Sequence, residues 1–125
     1  MNNELCGKIS DSELEIMKLL WQAGEALPVM VIRESLQESI GWEPATIKTL
    51  IARLVSKGVV LQEKRKVYYY SPLVDEEQYH AWATEHLISR LYNGSARNLV
   101  AALVRSDGLT KDDIEELREM FRVEE

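Results

Sequence analysis

The chain has 125 residues, of which 46% are hydrophobic and 29% charged, and its formal net charge is −6 at pH 7. This length fits one domain, or a small domain with an appended arm, and the composition excludes a disordered or collagen-like chain. No apolar run approaches the roughly 18–20 residues needed to cross a membrane, and the N-terminus has no secretory signal pattern. We therefore expect a cytoplasmic protein without direct membrane binding.

The charge is distributed unevenly along the chain. Residues 44–66 carry six basic side chains and one acidic side chain, a net charge of +5. Residues 1–43 and residues 107–125 each have a net charge of −5. A localised basic segment indicates phosphate binding whatever the overall charge of the protein.

Three amphipathic helices are predicted in the first part of the chain. Ser10 and Glu13 have the spacing of a capping box at the start of the first helix. We expect Pro28 in the first turn of the second helix and Pro44 in the first turn of the third, where proline loses no hydrogen bond. The third helix is predicted to end before Gly58, since glycine tolerates the left-handed conformation past a helix end.

A short hairpin is predicted after the third helix. Two β-prone runs, residues 59–63 and 67–70, flank a charged turn. The order helix, helix, helix, hairpin is that of a winged helix-turn-helix. The predicted fold class is therefore mainly α with a small β wing. We expect a winged-helix DNA-binding domain over residues 1–73 and a C-terminal three-helix dimerisation domain over residues 74–125.

The third helix and the hairpin are the predicted DNA-binding elements. The major groove admits a helix, and the face of this helix opposite its apolar stripe carries basic, hydroxyl and small side chains. The predicted contacts are Ala45, Thr46, Lys48, Thr49, Ala52 and Arg53 on the helix, Lys64, Arg65 and Lys66 at the hairpin tip, and Tyr68 and Tyr70 on the following strand. Each feature alone is also typical of a solvated surface, and tyrosines are more often packing residues.

The last three helices are predicted to form a homodimer. Residues 75–125 are too few to bury three apolar stripes by themselves, and a two-fold dimer matches inverted-repeat DNA. The predicted interface residues are Trp82, Leu87, Leu91, Leu99, Val100, Leu103, Val104, Ile114, Leu117, Met120 and Phe121. The alternative is that these helices fold back onto the winged domain.

Signals for catalysis or metal binding are weak. His80 and His86 do not share a helix face, and the chain has no glycine-rich phosphate loop and no metal-binding motif, so we predict no enzyme activity, no metal and no cofactor. The single cysteine, Cys6, is predicted to be a free surface thiol in a mobile leader. The alternatives to a DNA-binding repressor are a winged-helix protein-interaction module and a metal- or thiol-responsive regulator that uses Cys6.

Several segments resemble the penicillinase and methicillin-resistance repressors. Residues 9–21, with the sequence ISDSELEIMKLLW, resemble the opening of that family. Residues 42–54, with the sequence WEPATIKTLIARL, look like its recognition-helix signature. The Lys-Gly pair at 57–58, the Tyr-Tyr-Ser run at 69–71 and residues 109–117 also match, so the resemblance covers nearly the whole chain.

The resemblance implies a homodimeric transcriptional repressor that binds a dyad operator in double-stranded DNA and controls a β-lactam-resistance-type operon. A membrane sensor protease typically triggers cleavage of family members within the dimerisation region. The matching bond here is Ala102–Leu103, where the best-known members have Asn-Phe. A sister branch of copper-responsive repressors carries four C-terminal cysteines, and this chain has none after Cys6, so we do not expect copper sensing by that route.

Overall fold

A computed structural model describes residues 3–122 and shows a mainly helical chain with one small sheet. The elements in chain order are α1 (Asn3–Cys6), α2 (Asp11–Ala23), β1 (Leu27–Pro28), α3 (Val29–Ser39), α4 (Pro44–Ser56), β2 (Val60–Lys64), β3 (Tyr68–Pro72), α5 (Glu76–Tyr92), α6 (Ala96–Arg105) and α7 (Lys111–Arg122). This order confirms the predicted fold class. The elements that the sequence did not predict are α1 and β1, which are too short to show a hydrophobic period.

The chain divides into two compact units, Met1–Ala83 and Thr84–Glu125. The predicted boundary after residue 73 falls inside the first unit, because the beginning of α5 packs on the core of that unit. Within residues 3–122, no helix is both long and apolar enough to cross a membrane.

An aromatic cluster holds the beginning of α5 on the first unit. The Tyr79 ring lies next to Trp21 and Trp82, with centroid distances of 5.6 Å and 5.9 Å. Trp21 Nε1 also donates a hydrogen bond to the Val74 carbonyl oxygen at 2.8 Å. Trp82 therefore packs within the first unit, and its place in the dimer interface stays a prediction.

The three strands form one antiparallel sheet in the order β1–β3–β2. The hairpin of β2 and β3 is the predicted wing. β1 adds a third strand by pairing Leu27 with Tyr70 and Pro28 with Tyr69. Pro28 thus lies in β1 and caps α3, with φ of −72°, rather than standing in the first turn of that helix as predicted. The fixed φ of proline suits an edge strand as well as a helix start.

The ends of α2 and α4 follow local sequence signals. The predicted capping box is confirmed, because the Glu13 amide donates to Ser10 Oγ at 3.2 Å and the Ser10 amide donates to Glu13 Oε1 at 3.0 Å. Pro44 is at the start of α4, as predicted. Gly58 has φ of +80°, a conformation that side chains with a Cβ rarely adopt, and this residue turns the chain from α4 into the hairpin.

The core of the first unit lies between the apolar faces of the helices and the sheet. Helical spacing places these side chains on one face of each helix, and full burial of a leucine- or isoleucine-sized side chain stabilises a fold by about 1.5–3 kcal/mol. The buried apolar side chains are Cys6, Ile9, Ile16, Met17, Leu20, Ile32, Leu36, Ile47, Leu50, Ile51, Leu54, Val59, Val60, Tyr70 and Val74.

Cys6 is part of this core rather than exposed. Its side chain is 0% accessible, so the prediction of a surface thiol in a mobile leader is wrong. Burial raises the pKa of the Cys6 thiol, which disfavours the reactive thiolate. The physical reason is that α1 places Cys6, with the buried Ile9 that follows it, against the core.

One ion pair is buried beside the core. The Glu13 side chain is 1% exposed, and its carboxylate oxygens accept hydrogen bonds from Lys57 Nζ at 2.7 Å and 2.9 Å. Lys57 Nζ also donates to the Lys8 carbonyl oxygen at 2.8 Å. Glu13 is in the first turn of α2 and Lys57 caps the end of α4, so the pair joins the two helices at these ends.

The environment of Glu13 lowers the pKa of its carboxyl. Burial alone raises this pKa, but hydrogen bonds from Lys57 and Ser10 and the positive charge of Lys57 outweigh the burial. A carboxyl whose pKa is lower in the folded state stabilises the fold at pH above its unfolded-state pKa. That stabilisation is lost as the pH falls through the folded-state pKa.

The second unit consists of amphipathic helical segments without a buried core. None of the described residues in α5, α6 or α7 is fully buried. A capping box begins α7, since the Thr110 amide donates to Asp113 Oδ2 at 3.0 Å and the Asp113 amide donates to Thr110 Oγ1 at 3.0 Å. The apolar faces of α6 and α7 line an open cleft whose walls include Val100, Val104 and Phe121.

We expect Glu13→Gln to lower the free energy of unfolding by about 2 kcal/mol at pH 7, because it removes the charge that pairs with Lys57 in a largely buried site. Lys57 is 32% exposed and regains some water, which keeps the loss below that of a fully buried pair. The difference from wild type should shrink as the pH falls below the ordinary glutamate pKa of about 4.3, where the wild-type protein loses the same interaction. Urea unfolding at several pH values measures it.

The matched control is Glu15→Gln on the same helix, whose exposed pair with Lys18 has an N–O distance of 3.4 Å. Its effect should stay within about 0.5 kcal/mol. An equally small and pH-independent effect of Glu13→Gln would contradict the structural role of the buried pair.

Candidate nucleic-acid interface

The two faces of α4 differ in burial and chemistry. One face packs Ile47, Leu50, Ile51 and Leu54 into the core. The opposite face is open to solvent, because a period of 3.6 residues separates the polar positions from this stripe. All six predicted contact residues of the helix are exposed, namely Ala45, Thr46, Lys48, Thr49, Ala52 and Arg53.

The exposed face of α4 is lined with small side chains. Ala45, Thr46, Thr49 and Arg53 border a shallow depression. The Thr49 hydroxyl donates to the Ala45 carbonyl oxygen at 3.0 Å, so its proton is used inside the helix while its oxygen still accepts a hydrogen bond. Small residues let another molecule approach the helix backbone closely, and Lys48 and Arg53 are exposed on the same helix.

A cleft separates α4 from the hairpin. Its lining includes Lys48 and Ala52 of the helix, Gln62, Tyr68 and Tyr70 of the hairpin, and Val29 of α3. These side chains therefore border one continuous surface. Gln62 was not among the predicted contacts; the signal that identifies it is the pairing register, which puts it on the same side of the hairpin as Lys64.

The strand register gives the hairpin two distinct faces. Directly opposite residues of an antiparallel pair share a face, and neighbouring pairs alternate between faces. Lys64 is opposite Tyr68, on the side that borders the cleft with α4. Glu63 is opposite Tyr69, on the other side.

Tyr70 packs in the core. It is 8% exposed and pairs with Leu27 of β1 and with Gln62 of β2. Burial, together with the nearby Tyr68, raises the pKa of the Tyr70 hydroxyl. The ring lines the cleft beside Lys48 and Tyr68, but it packs mainly in the core and leaves DNA much less surface than the prediction assumed. Tyr68, near the open end of the same strand, is 42% exposed.

The basic side chains of residues 44–66 fall into two groups. Lys57 pairs with the buried Glu13, and Arg65 Nη2 lies 3.5 Å from Glu63 Oε1. The other four cations of the segment have no salt bridge to any carboxylate within the described part of the chain; they are Lys48, Arg53, Lys64 and Lys66. The unpaired positive charge is therefore on the exposed face of α4 and at the hairpin tip.

The same region offers no metal chemistry. Among residues 3–122, no group of three or more His, Cys, Asp or Glu side chains is arranged to hold a metal ion. Burial of the Cys6 thiol in the core disfavours the alternative of a metal- or thiol-responsive regulator that uses this residue.

Three helices and a hairpin, with a cationic helix face that continues onto the hairpin, define a winged-helix DNA-binding protein. The model of the penicillinase repressor family matches residues 9–122. The penicillinase repressor of Bacillus licheniformis is 34% identical over 91% of this chain and 89% of its own length. The chain belongs to the penicillinase repressor family, which confirms the resemblance, and it is a transcriptional repressor rather than an enzyme.

Another relative and two solved structures agree with this assignment. The methicillin resistance regulatory protein MecI of Staphylococcus aureus is 35% identical over 91% of this chain and 93% of its own length. The solution structure of the DNA-binding domain of the repressor BlaI superposes with a TM-score of 0.53 at 36% identity, over 58% of this chain and 88% of that one. Monomeric Bacillus licheniformis BlaI in complex with the blaP half-operator gives a TM-score of 0.51 at 36% identity, over 57% and 87% of the two chains.

Proposed function

We propose that this repressor binds an inverted-repeat operator as a homodimer, with α4 in the major groove and the hairpin on the flanking backbone. The observation that carries the proposal is the group of unpaired cations on the exposed face of α4 and at the hairpin tip. Lys48 and Arg53 suit phosphate oxygens or guanine edges, and Lys64 and Lys66 suit phosphates. The complex of the relative BlaI with a half-operator supports this choice of partner.

The remaining contacts in the proposal follow from exposure. Thr46 and Thr49 place hydroxyl oxygens on the groove side, and Ala45 and Ala52 provide methyl groups that can meet thymine. Gln62 and Tyr68 join this set, because they border the cleft that Lys48 also lines. Such a protein works where the genomic DNA lies, in the cytoplasm.

Dimerisation through the second unit is supported by the apolar surface that the unit leaves open. Val104 is 62% exposed, Met120 63% and Phe121 68%. Val104 and Phe121 line the cleft between α6 and α7, and Met120 lines a second depression that shares Leu109 and Leu117 with it. A two-fold axis brings the same surface of two copies together, and this buries both at once. The proposed interface consists of Leu87, Leu91, Leu99, Val100, Leu103, Val104, Ile114, Leu117, Met120 and Phe121.

A β-lactam-resistance-type operon is the proposed target. Its support is that the relatives of known role are named as penicillinase and methicillin-resistance regulators and match 91% of this chain. We also propose that a membrane sensor protease triggers release from DNA by cleavage of the Ala102–Leu103 bond.

For DNA binding, we expect Lys48→Ala to weaken binding by about tenfold or more on a duplex that the wild-type protein selects from random sequence. The slope of log affinity against log salt should become less steep by about 0.9 per lost phosphate contact, or about 1.8 when both subunits lose one. Fluorescence anisotropy at several salt concentrations measures both quantities.

Lys18→Ala is the matched control, since Lys18 is exposed on α2 and paired with Glu15. Its affinity and slope should equal those of the wild type. The proposed interface is wrong if Lys48→Ala behaves like this control, or if the wild-type protein selects no duplex at low salt. A selected sequence with a single half-site would contradict the inverted repeat.

For dimerisation, the wild-type protein should sediment at micromolar concentration with twice the chain mass of 14.4 kDa. Leu103→Asp places a charge in the proposed interface and should shift the protein to the single-chain mass. Asn98→Asp adds the same charge on the opposite side of α6 and should leave the dimer intact. A wild-type protein that sediments as a single chain, or a Leu103→Asp protein that remains dimeric, would refute the proposed interface.

For induction, the protein recovered from cells exposed to a β-lactam should include a fragment that ends at Ala102, detected by intact-mass spectrometry. The bond lies inside α6, and no described residue of α5, α6 or α7 is buried, so the helix opens at low free-energy cost for a protease. Recovery of only the full-length chain after induction of the operon would rule out release by this cleavage.

A further inference from the structure

Arg65 has a different environment from the two lysines beside it. Its guanidinium carbon is 4.3 Å from the centroid of the Tyr69 ring, and Nη2 is 3.5 Å from Glu63 Oε1. Its amide donates to the Val67 carbonyl oxygen at 3.0 Å, which closes the turn of the hairpin. The side chain of Arg65 therefore contacts both strands, and the backbone amide of the same residue closes the turn between them.

These contacts place the guanidinium on the side of the hairpin away from α4. Glu63 and Tyr69 are directly opposite one another in the register, and the adjacent pair, Lys64 and Tyr68, is on the side that borders the cleft with Lys48. A guanidinium stacked on Tyr69 is thus on the face opposite the one that continues from α4. The ion pair with Glu63 also neutralises part of its charge.

We propose that Arg65 is a positioning residue of the wing rather than a phosphate ligand, an inference that rests on the proposed function. By joining Glu63 to Tyr69 across the two strands, it holds the hairpin in one conformation before DNA arrives. Lys64 and Lys66 are then presented to the backbone without the cost of ordering the tip on binding. Arginine suits this role because its planar head stacks on an aromatic ring, which a lysine ammonium does less well.

The salt dependence of binding separates a positioning residue from a phosphate ligand. Loss of a phosphate contact makes the log–log slope less steep by about 0.9 per contact, whereas loss of preorganisation lowers the affinity at every salt concentration equally. We expect Arg65→Ala to weaken binding by about three- to tenfold with an unchanged slope. Lys66→Ala should weaken binding with a slope that is less steep.

Three further variants complete the experiment on the full-length protein and one selected duplex. Tyr69→Leu should weaken binding as much as Arg65→Ala does, and the double variant should be no weaker than either single one. Tyr69→Phe keeps the ring and should bind like the wild type. Arg65→Lys keeps the charge but lacks the planar guanidinium, so it should bind DNA almost as weakly as Arg65→Ala.

Amide hydrogen exchange in the free protein gives a readout that does not depend on DNA. Exchange at the hairpin should be faster in Arg65→Ala than in the wild type, while exchange in α2 and α4 stays unchanged. The proposal is overturned if Arg65→Ala makes the slope less steep as Lys66→Ala does, or if it changes neither affinity nor hairpin exchange. Failure of the wild-type protein to bind any duplex would instead refute the proposed function.

Discussion

The buried ion pair between Glu13 and Lys57 anchors the end of α4, the helix that we propose for DNA binding. Glu13 closes the capping box that starts α2, and the same carboxylate receives the ammonium group at the end of α4. One residue after Lys57, Gly58 turns the chain toward the hairpin. The pair therefore joins the end of α4 and the start of the hairpin to the beginning of α2, at a buried point where an unpaired charge is costly. Apolar burial supplies most of the stability, but it is not directional and does not specify how the end of α4 meets the start of α2.

The division of the basic side chains explains how an acidic protein recognises an anionic polymer. Four cations of residues 44–66 have no carboxylate partner among the described residues and lie on the exposed face of α4 and at the hairpin tip, while Lys57 pairs with the buried Glu13 and Arg65 with Glu63. When these cations neutralise phosphates, the counterions condensed on the DNA are released, so the local charge of the binding surface matters more than the net charge of the chain. The position of these cations, rather than the net charge of the protein, therefore favours DNA as the partner.

Much of this arrangement could be predicted from the sequence, since it depends on local rules. The capping residues, the two faces of α4 and the presence of the hairpin follow from spacing along single elements. The predictions that disagree with the structure concern contacts between elements. Tyr70 shares a strand face with Tyr68, but only the packing of the helices shows that one ring is covered and the other open. Cys6 precedes every periodic segment, and its burial depends on how α1 folds back onto the core.

The packing of Trp82 and Arg65 also depends on contacts between elements. Trp82 has the spacing of an interface residue on α5, yet the Tyr79 ring beside it belongs to the first unit. Arg65 is one of three consecutive cations, and its distinct role depends on the cross-strand register with Tyr69, which the turn residues do not reveal. Local periodicity places a residue on one face of a helix or strand, but it does not show which residues from distant parts of the chain lie beside it.

The exposed face of α4 and the adjoining side of the hairpin form the surface on which the whole interpretation depends. Backbone amide resonances recorded during titration with a selected duplex test this surface most directly. The largest shifts should occur in residues 44–53 and 62–68, with little change in residues 84–122. Shifts concentrated in the second unit, or spread evenly over the first, would contradict the account.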